Sequence, residues 1–270
     1  MARTDTLANF LTDIANSVRV KTGSTEKIAV KNLDTEIANL ETDGGDPIAP
    51  ATLTFANYTG ETVNEATIDT SNLTTMANMF SSCPNLKSVN MSTWDTSKVT
   101  SMRSMYFGCN NIQSIICGSI DTSKVTDMAY FSARCPKITE IDFSLQNFSN
   151  VNTYQEAFTG CSGLLRVIFP STVKSTPSLK ETFSNCVSIT YIDMAYLDGC
   201  GDWYRTFYNC SSLQHLDIRN MTIAEGSIGY QAFYGIPDAC EIIVKDDTAR
   251  AAILSAQSNL TNIKTVAELI

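Results

Sequence analysis

The fold is decided by Phe80-Ser81-Ser82-Cys83-Pro84-Asn85-Leu86-Lys87-Ser88-Val89-Asn90-Met91, because its apolar positions return along the chain at a nearly constant interval. Leucine or isoleucine follows each repeated cysteine by three residues, and further apolar residues follow it by six and by eight. The cysteines that define this register are Cys83, Cys109, Cys135, Cys161, Cys186 and Cys210, at intervals of 26, 26, 26, 25 and 24 residues. Such a period predicts a stack of six near-complete repeats.

Each repeat is expected to contain one short strand and one turn. Val89 and Met91 alternate with the polar Asn90, which is typical of a strand with one buried face. Met76 and Phe80 lie four residues apart, and this spacing predicts a helical or 3₁₀ turn before the cysteine. The triplets Asp69-Thr70-Ser71, Asp95-Thr96-Ser97 and Asp121-Thr122-Ser123 indicate capped turns. They lack the glycine and the distal glutamate of a calcium loop.

One such unit cannot bury its own apolar face, whereas stacked copies share a continuous core. The pattern therefore predicts an α+β repeat solenoid of 24–26-residue repeats. Its in-register cysteines are expected to form a buried, reduced column, although disulfide pairing between neighbours remains an alternative. A structural metal site is not expected, because the chain has a single histidine and no pair of cysteines separated by two residues.

The extended pattern, which runs from Phe80-x-x-Cys83 through Trp94-Asp95-Thr96-Ser97-Lys98-Val99-Thr100, resembles the cysteine-containing form of BspA-type bacterial leucine-rich repeats. The resemblance covers about residues 64–240, and the later copies drift from the pattern. It implies a curved leucine-rich-repeat array with a binding role and no enzymatic activity.

The first forty residues predict a helical hairpin. Its two apolar faces contain Leu7, Phe10, Leu11, Ile14 and Val18, then Leu33, Ile37 and Leu40. These faces expose more apolar surface than a detached hairpin can hide, so residues 1–43 are expected to provide attachment or self-association. A trimer is favoured by analogy to phage tail fibres. If the hairpin instead packs on the array, the chain is monomeric.

The run from Ile14 to Ile28, followed by Asp34-Thr35-Glu36-Ile37, resembles the opening helical segment of tail-associated proteins from phages of Gram-positive bacteria. This resemblance implies a phage tail or baseplate component, made in the bacterial cytoplasm and carried in the virion. A simple amphipathic cap is the alternative for this segment. For the whole chain, the alternative is a host-encoded surface adhesin of BspA type, located at the bacterial cell surface.

The remaining segments divide the chain further. Residues 44–50 are expected to be a linker, and residues 51–68 a β hairpin that begins the array at 51–240. In the C-terminal cap, residues 241–270, we expect a strand over 241–245. A helix is expected over 246–257, capped by Asp246 or Asp247.

Composition excludes several functions. The chain has 19 basic and 28 acidic residues, a formal charge of −9 and a pI near 4.6, so nucleic acid and anionic membranes are not expected partners. Neither an export signal nor a membrane anchor is expected. Without a catalytic motif, neither enzymatic activity nor a cofactor is expected. A cysteine-dependent enzyme is the competing class and predicts one accessible thiol of low pKa.

A mixed polar and aromatic patch is expected where outward strand positions align across the array. This is the candidate surface for a bacterial glycan or protein, and ordinary solvated sheet is the alternative. Its residues are Glu140, Asp142, Arg166, Tyr191, Asp193, His215, Asp217 and Arg219.

Overall fold

A computed structural model describes residues 51–52, 60–63, 70–173, 176–199, 201–224 and 226–269. The predicted helical hairpin of residues 1–43 and the linker at 44–50 lie outside the described residues. Eleven short strands dominate the described part, together with one α-helix and one 3₁₀ helix.

The strands are β1 (Ala51–Thr52), β2 (Thr62–Val63), β3 (Leu73–Thr75), β4 (Ser88–Asn90), β5 (Ser114–Ile116), β6 (Glu140–Asp142), β7 (Arg166–Ile168), β8 (Tyr191–Asp193), β9 (His215–Asp217), β10 (Glu241–Val244) and β11 (Ile263–Thr265). The helices are α1 (Asp247–Ala256) and a final 3₁₀ helix (Val266–Leu269).

Every strand pairing is parallel, as expected when each strand belongs to the next coil of a solenoid. Strands β6 to β11 form one sheet in chain order, and β2, β4 and β5 form a second. The register is that of the sequence repeat, with Val89 beside Ile115 and Ile141 beside Val167. The prediction of stacked repeats that share one core is therefore confirmed.

The core is a set of columns that run through the coils. All six repeat cysteines are buried, and none of the eight cysteines that the structure describes forms a disulfide. Aromatic rings stack between coils, as in Phe80 on Tyr106 with centroids 5.6 Å apart and Phe158 on Phe183 at 5.4 Å. Such contacts add to the stabilisation from burial alone.

The segment before each cysteine contains no helix, so the prediction of a helical or 3₁₀ turn holds only for single turns with i→i+3 hydrogen bonds, such as Met79 N–H to the Met76 carbonyl at 3.2 Å. We name it the turn ribbon; it comprises residues 76–82, 102–108, 128–134, 154–160, 179–185, 203–209 and 229–235, which form consecutive turns. The N–H groups of Asn78, Phe80 and Ser82 donate to carbonyls of the next coil at 2.7–2.8 Å. Because these donors are used between coils, they are not available for hydrogen bonds within a helix.

The turn ribbon has two positions with positive φ in every coil. The first is occupied by Asn78, Ser104, Tyr130, Glu156, Glu181, Arg205 and Gln231, with φ from 50° to 59°. The second is occupied by Ser82, Gly108, Arg134, Gly160, Asn185, Asn209 and Gly235. Side chains with a Cβ rarely adopt this conformation, so the stacking of coils imposes it.

Most of the predicted β hairpin over residues 51–68 lies outside the described residues. β1 pairs in parallel with β3, and β2 pairs in parallel with β4. A hairpin would need antiparallel pairing between neighbouring strands. The described parts of this segment instead add strands to the same columns as the later coils, because Val63 lies in register with Val89.

The C-terminal end contains the predicted strand and helix. β10 and β11 continue the sheet beyond residue 240, and α1 places Ala249, Ala252 and Ile253 in the buried core. The Asp246 side chain caps α1 by accepting the Ala249 N–H at 3.0 Å. In the described ranges, no helix is long and apolar enough to cross a bilayer.

Candidate binding surface on the strand face

The outward side chains of β6 to β10 form what we call the strand face. The middle residue of each strand is buried, so the residues on either side of it point outward. The first outward column is Glu140, Arg166, Tyr191, His215 and Glu241, and the second begins Asp142, Ile168, Asp193 and Asp217.

Contacts join the residues of the first column in two groups, Glu140 with Arg166, and Tyr191 with His215 and Glu241. Arg166 donates from Nε and Nη2 to Glu140 Oε2, at 3.1 and 2.7 Å. The Tyr191 and His215 rings stack with centroids 4.8 Å apart and an angle of 4° between their planes. His215 Nδ1 lies 2.7 Å from Glu241 Oε2, and Glu241 Oε1 accepts Lys264 Nζ at 2.5 Å. These contacts hold the Tyr191 ring in one orientation.

Two residues among these contacts, Glu241 and Lys264, were not predicted from the sequence. Glu241 continues the column of His215, but it was assigned to the cap because the cysteine repeat ends at Cys210. Hydrogen bonds from Lys264 and then His215 lower the pKa of Glu241 below its ordinary value of 4.5. Lys264 follows no repeat pattern, so no periodic signal identified it.

The second column has a structural role that the sequence analysis did not anticipate. The Oδ1 atoms of Asp142, Asp193 and Asp217 each accept the backbone N–H two residues later, at 2.8, 2.9 and 3.1 Å. Asn90 makes the same contact with the Ser92 N–H at 3.0 Å. These side chains therefore stabilise the turn that ends each strand.

Asp217 does not lie on the open surface as predicted. It is buried, and its carboxylate accepts hydrogen bonds from the Arg219 guanidinium, including Nε to Oδ2 at 2.8 Å. A buried carboxylate needs such a partner, so the Asp217–Arg219 pair has a structural role and does not form part of the exposed binding surface.

An open pocket of about 390 Å³ lies over β7 and β8. It contains three of the eight predicted binding residues, Arg166, Tyr191 and Asp193. The other predicted residues, Glu140, Asp142, His215, Asp217 and Arg219, lie outside its lining. The lining also includes Ser144, Val167, Ile168, Phe169, Ser171 and Tyr196. Pockets of this size accommodate small molecules or single side chains.

Tyr196 is the main pocket residue that the alternation of the strands could not reveal. It lies in the turn after β8, and 56% of its surface is exposed. Tyr191, which is 40% exposed, presents a second ring to solvent. Burial raises the pKa of the Tyr191 hydroxyl, and the carboxylates of Asp193 and Asp217 raise it further. The pocket is therefore aromatic, and two carboxylates lie near the Tyr191 hydroxyl.

The repeat cysteines form no reactive site. Sγ of Cys135 donates to the Tyr106 carbonyl in the preceding coil at 3.1 Å, and Cys186 donates to Phe158 in the same way. Burial raises the pKa of Cys161 to about 11 and that of Cys117 to about 12. These thiols are protonated at neutral pH and stabilise the stack. Within the described ranges, no group of three or more potential ligands could hold a metal ion.

A second aromatic surface lies on the turn ribbon, away from the strands. Tyr204 stacks on Tyr230 at 6.1 Å, and Tyr208 stacks on Tyr234 at 5.4 Å. The Arg205 guanidinium lies 5.0 Å from the centre of the Tyr208 ring. This group has the geometry of cation–π contacts between coils, and it contributes no residue to the pocket.

The fold defines a β solenoid of leucine-rich-repeat type, and sequence comparisons agree. The chain belongs to the family described as Mycoplasma protein of unknown function, DUF285, which matches residues 52–193. Residues 204–268 match the BspA type leucine rich repeat region. The two matches together extend over most of the coils.

Two solved structures are similar to this chain. One is a leucine-rich repeat protein from Bacteroides ovatus, with 14% identity, a TM-score of 0.30, and coverage of 83% of this chain and 71% of that one. The other is a leucine rich cell surface protein from Faecalibacterium prausnitzii, with 14% identity, a TM-score of 0.27, and coverage of 83% and 85%. Among curated proteins, no relative matches the chain.

Proposed function

We propose that the array is a non-enzymatic binding module whose strand face takes a ligand at a bacterial surface. The observation that carries the proposal is the pocket over β7 and β8, which combines two exposed tyrosines with charged side chains on short, hydrogen-bonded strands. A rigid platform reduces the entropy lost on binding. The raised pKa values of the Cys117 and Cys161 thiols support a binding role over cysteine-dependent catalysis.

For the biological setting, a surface adhesin of BspA type is supported by the match over residues 204–268. The second candidate is a phage tail or baseplate component, which rests on the sequence of residues 14–37. Tail-assembly genes beside the coding sequence would favour the phage setting. A longer precursor with an export signal and wall anchor would favour the adhesin.

The binding role is tested with the labelled full chain on a panel of Gram-positive cells. The double variant Tyr191→Ala/Tyr196→Ala should lower the affinity about tenfold or more, because aromatic anchors commonly dominate such interfaces. The matched control is Tyr230→Ala/Tyr234→Ala, which removes two exposed tyrosines from the turn ribbon. Binding that depends on the control pair and not on the pocket pair would contradict the proposal.

Self-association is a separate part of the proposal and concerns residues 1–43. We expect a homo-oligomer, with a trimer favoured, that becomes monomeric when the chain starts at Asp46. Light scattering on both chains measures this. Monomers in both cases would remove the assembly role and weaken the phage setting.

A further inference from the structure

The charges around the pocket are almost all paired. Arg166 donates two hydrogen bonds to one oxygen of Glu140, and Arg219 binds Asp217. Lys264 likewise binds Glu241. Since each cation has an acidic partner at hydrogen-bond distance, these pairs contribute little net charge to the surface.

Asp193 is the exception within the pocket lining. Its Oδ1 accepts the Ala195 N–H at 2.9 Å, and no salt bridge to it occurs in the described part of the chain. Asp142 also caps a turn and forms no ion pair there. The two carboxylates lie on either side of Ile168 in the second column, because β6, β7 and β8 are successive strands. The pocket lining itself holds one cation, Arg166, and one carboxylate, Asp193. Because Glu140 pairs with Arg166, the surface formed by these three residues and Asp142 has a net negative charge.

The aromatic residues add attraction for a cation. The His215 ring covers one face of Tyr191, yet 40% of the tyrosine remains exposed. Tyr196 is more exposed still. A cation beside the face of such a ring is attracted by its quadrupole. The effect of Asp193 on the Tyr191 pKa exceeds the opposing effect of Arg219, which agrees with a negative potential there.

We infer that this pocket selects a primary ammonium group, presented by a lysine side chain of a protein ligand. Asp193 is the counter-ion, Tyr191 and Tyr196 flank the ammonium, and Ile168 contacts the methylene stem. The inference rests on the proposed function and names the ligand chemistry for the same site. A lysine suits this lining because its charge lies at the end of an apolar stem.

The test uses the full chain and three blocked amino acids, observed by NMR of pocket residues at low ionic strength. The probes are N-acetyl-lysine methylamide, its norleucine analogue without charge, and the glutamate analogue of opposite charge. We expect the lysine probe to bind more tightly than the other two. Glucosamine is a fourth probe, which reports whether an ammonium on a sugar binds as well.

The decisive variant is Asp193→Asn. Asparagine keeps the turn cap, as Asn90 shows at the equivalent position of an earlier coil, so the fold is retained while the charge is removed. Lysine-probe affinity should fall about tenfold. The matched control is Asp198→Asn, which removes one charge from an exposed residue outside the pocket lining and should leave affinity unchanged.

Several results would overturn the inference. These are equal binding of lysine and norleucine probes, preference for glutamate or glucosamine, no binding of any probe, or equal losses in the two asparagine variants. The cell-binding assay separates this failure from that of the proposed function. If cells are still bound through Tyr191 and Tyr196, the binding role stands and only the ammonium selectivity is wrong.

Discussion

The strand face and the turn ribbon run through the same coils, and both are held by hydrogen bonds between neighbouring coils, yet their backbones differ. The strand face is ordinary parallel sheet with alternating inward and outward side chains. The turn ribbon passes twice per coil through positive φ, at residues such as Tyr130 and Glu156 that have a Cβ. The comparison indicates that stacking against a neighbour can override local conformational preference.

The two regions also differ in the amino-acid substitutions that they tolerate. On the strand face, the outward residues vary from Glu140 to Arg166 to Tyr191 without changing the register. Directly after the turn ribbon, a buried column requires a small side chain that can donate to a carbonyl of the preceding coil, and cysteine meets this requirement. The strand face can thus acquire a ligand site while the turn ribbon maintains the stack.

The largest expected effect is at Cys135, where the turn ribbon enters the core shared with the strands. Replacing Cys135 with Asp should destabilise the fold by about 3–5 kcal/mol, because it buries a charge without a counter-ion. Urea unfolding of the full chain measures the change. Cys135→Ala is the control and should cost about 1–2 kcal/mol, for lost packing and one lost hydrogen bond. Unchanged stability in the Asp variant would contradict the register.

The same substitution should have opposite effects on stability on the turn ribbon and in a strand. Ser82 has a φ of 59° on the turn ribbon, at a position where other coils have Gly108 or Gly160. Ser82→Gly should therefore stabilise the protein by about 1 kcal/mol. Ser88→Gly, in β4, should destabilise it by about 0.5–1 kcal/mol through greater backbone entropy in the unfolded chain. Thermal unfolding of both variants tests this contrast. Stability changes of the same sign in the two variants would contradict it.

The smallest effect concerns pH and belongs to the strand face. Because the pKa of Glu241 is lowered in the folded state, its stabilisation is present above the ordinary value of 4.5 and is lost as pH falls through the folded-state value. Glu241→Gln removes this part of the acid sensitivity. The stability difference between parent and variant should shrink as pH falls below 4.5. Curves that stay parallel throughout would show that Glu241 is not linked to folding.

Periodicity made most of the fold predictable. The spacing from Cys83 to Val89 and Met91 identified the buried columns, and all of these residues are fully buried. The same spacing could not identify the turn ribbon, since Met76 and Phe80 point inward in a helix and in consecutive turns alike. The two conformations differ in the acceptors of the backbone N–H groups. In the turn ribbon, alternate N–H groups donate to carbonyls of the next coil, which the sequence of one repeat does not reveal.

The third coil shows how far such patterns extend. Ser132 occupies the aromatic position of the repeat, and Phe131 occupies the neighbouring buried position that holds Met105 in the coil before. Phe131 packs on Tyr106 at 5.3 Å and on Phe143 at 5.5 Å, so the volume is retained in an adjacent column. A sequence repeat predicts which positions are apolar, whereas packing requires only that the volume of the shared core be filled, from whichever position.

The candidate site was predictable only in part. Alternation placed Arg166, Tyr191 and Asp193 on one surface, and the structure brings them to one pocket. It could not show that Asp217 is buried and bound to Arg219, because alternation predicts the side of the sheet on which a side chain lies and not how deeply it is buried. Tyr196 lies in a turn, where no period applies.

The sheet is interrupted between β5 and β6, and this gives the molecule a mechanical boundary. No ladder joins those two strands, although every residue from Ser114 to Asp142 is described. The turn ribbon is unbroken there, with N–H groups of Ser104, Tyr106 and Gly108 donating to the next coil at 2.8–2.9 Å. In single-molecule pulling we expect the coils to separate first at this boundary, where the turn ribbon and side-chain hydrogen bonds, such as Gln146 Nε2 to the Gly118 carbonyl at 2.7 Å, hold them together.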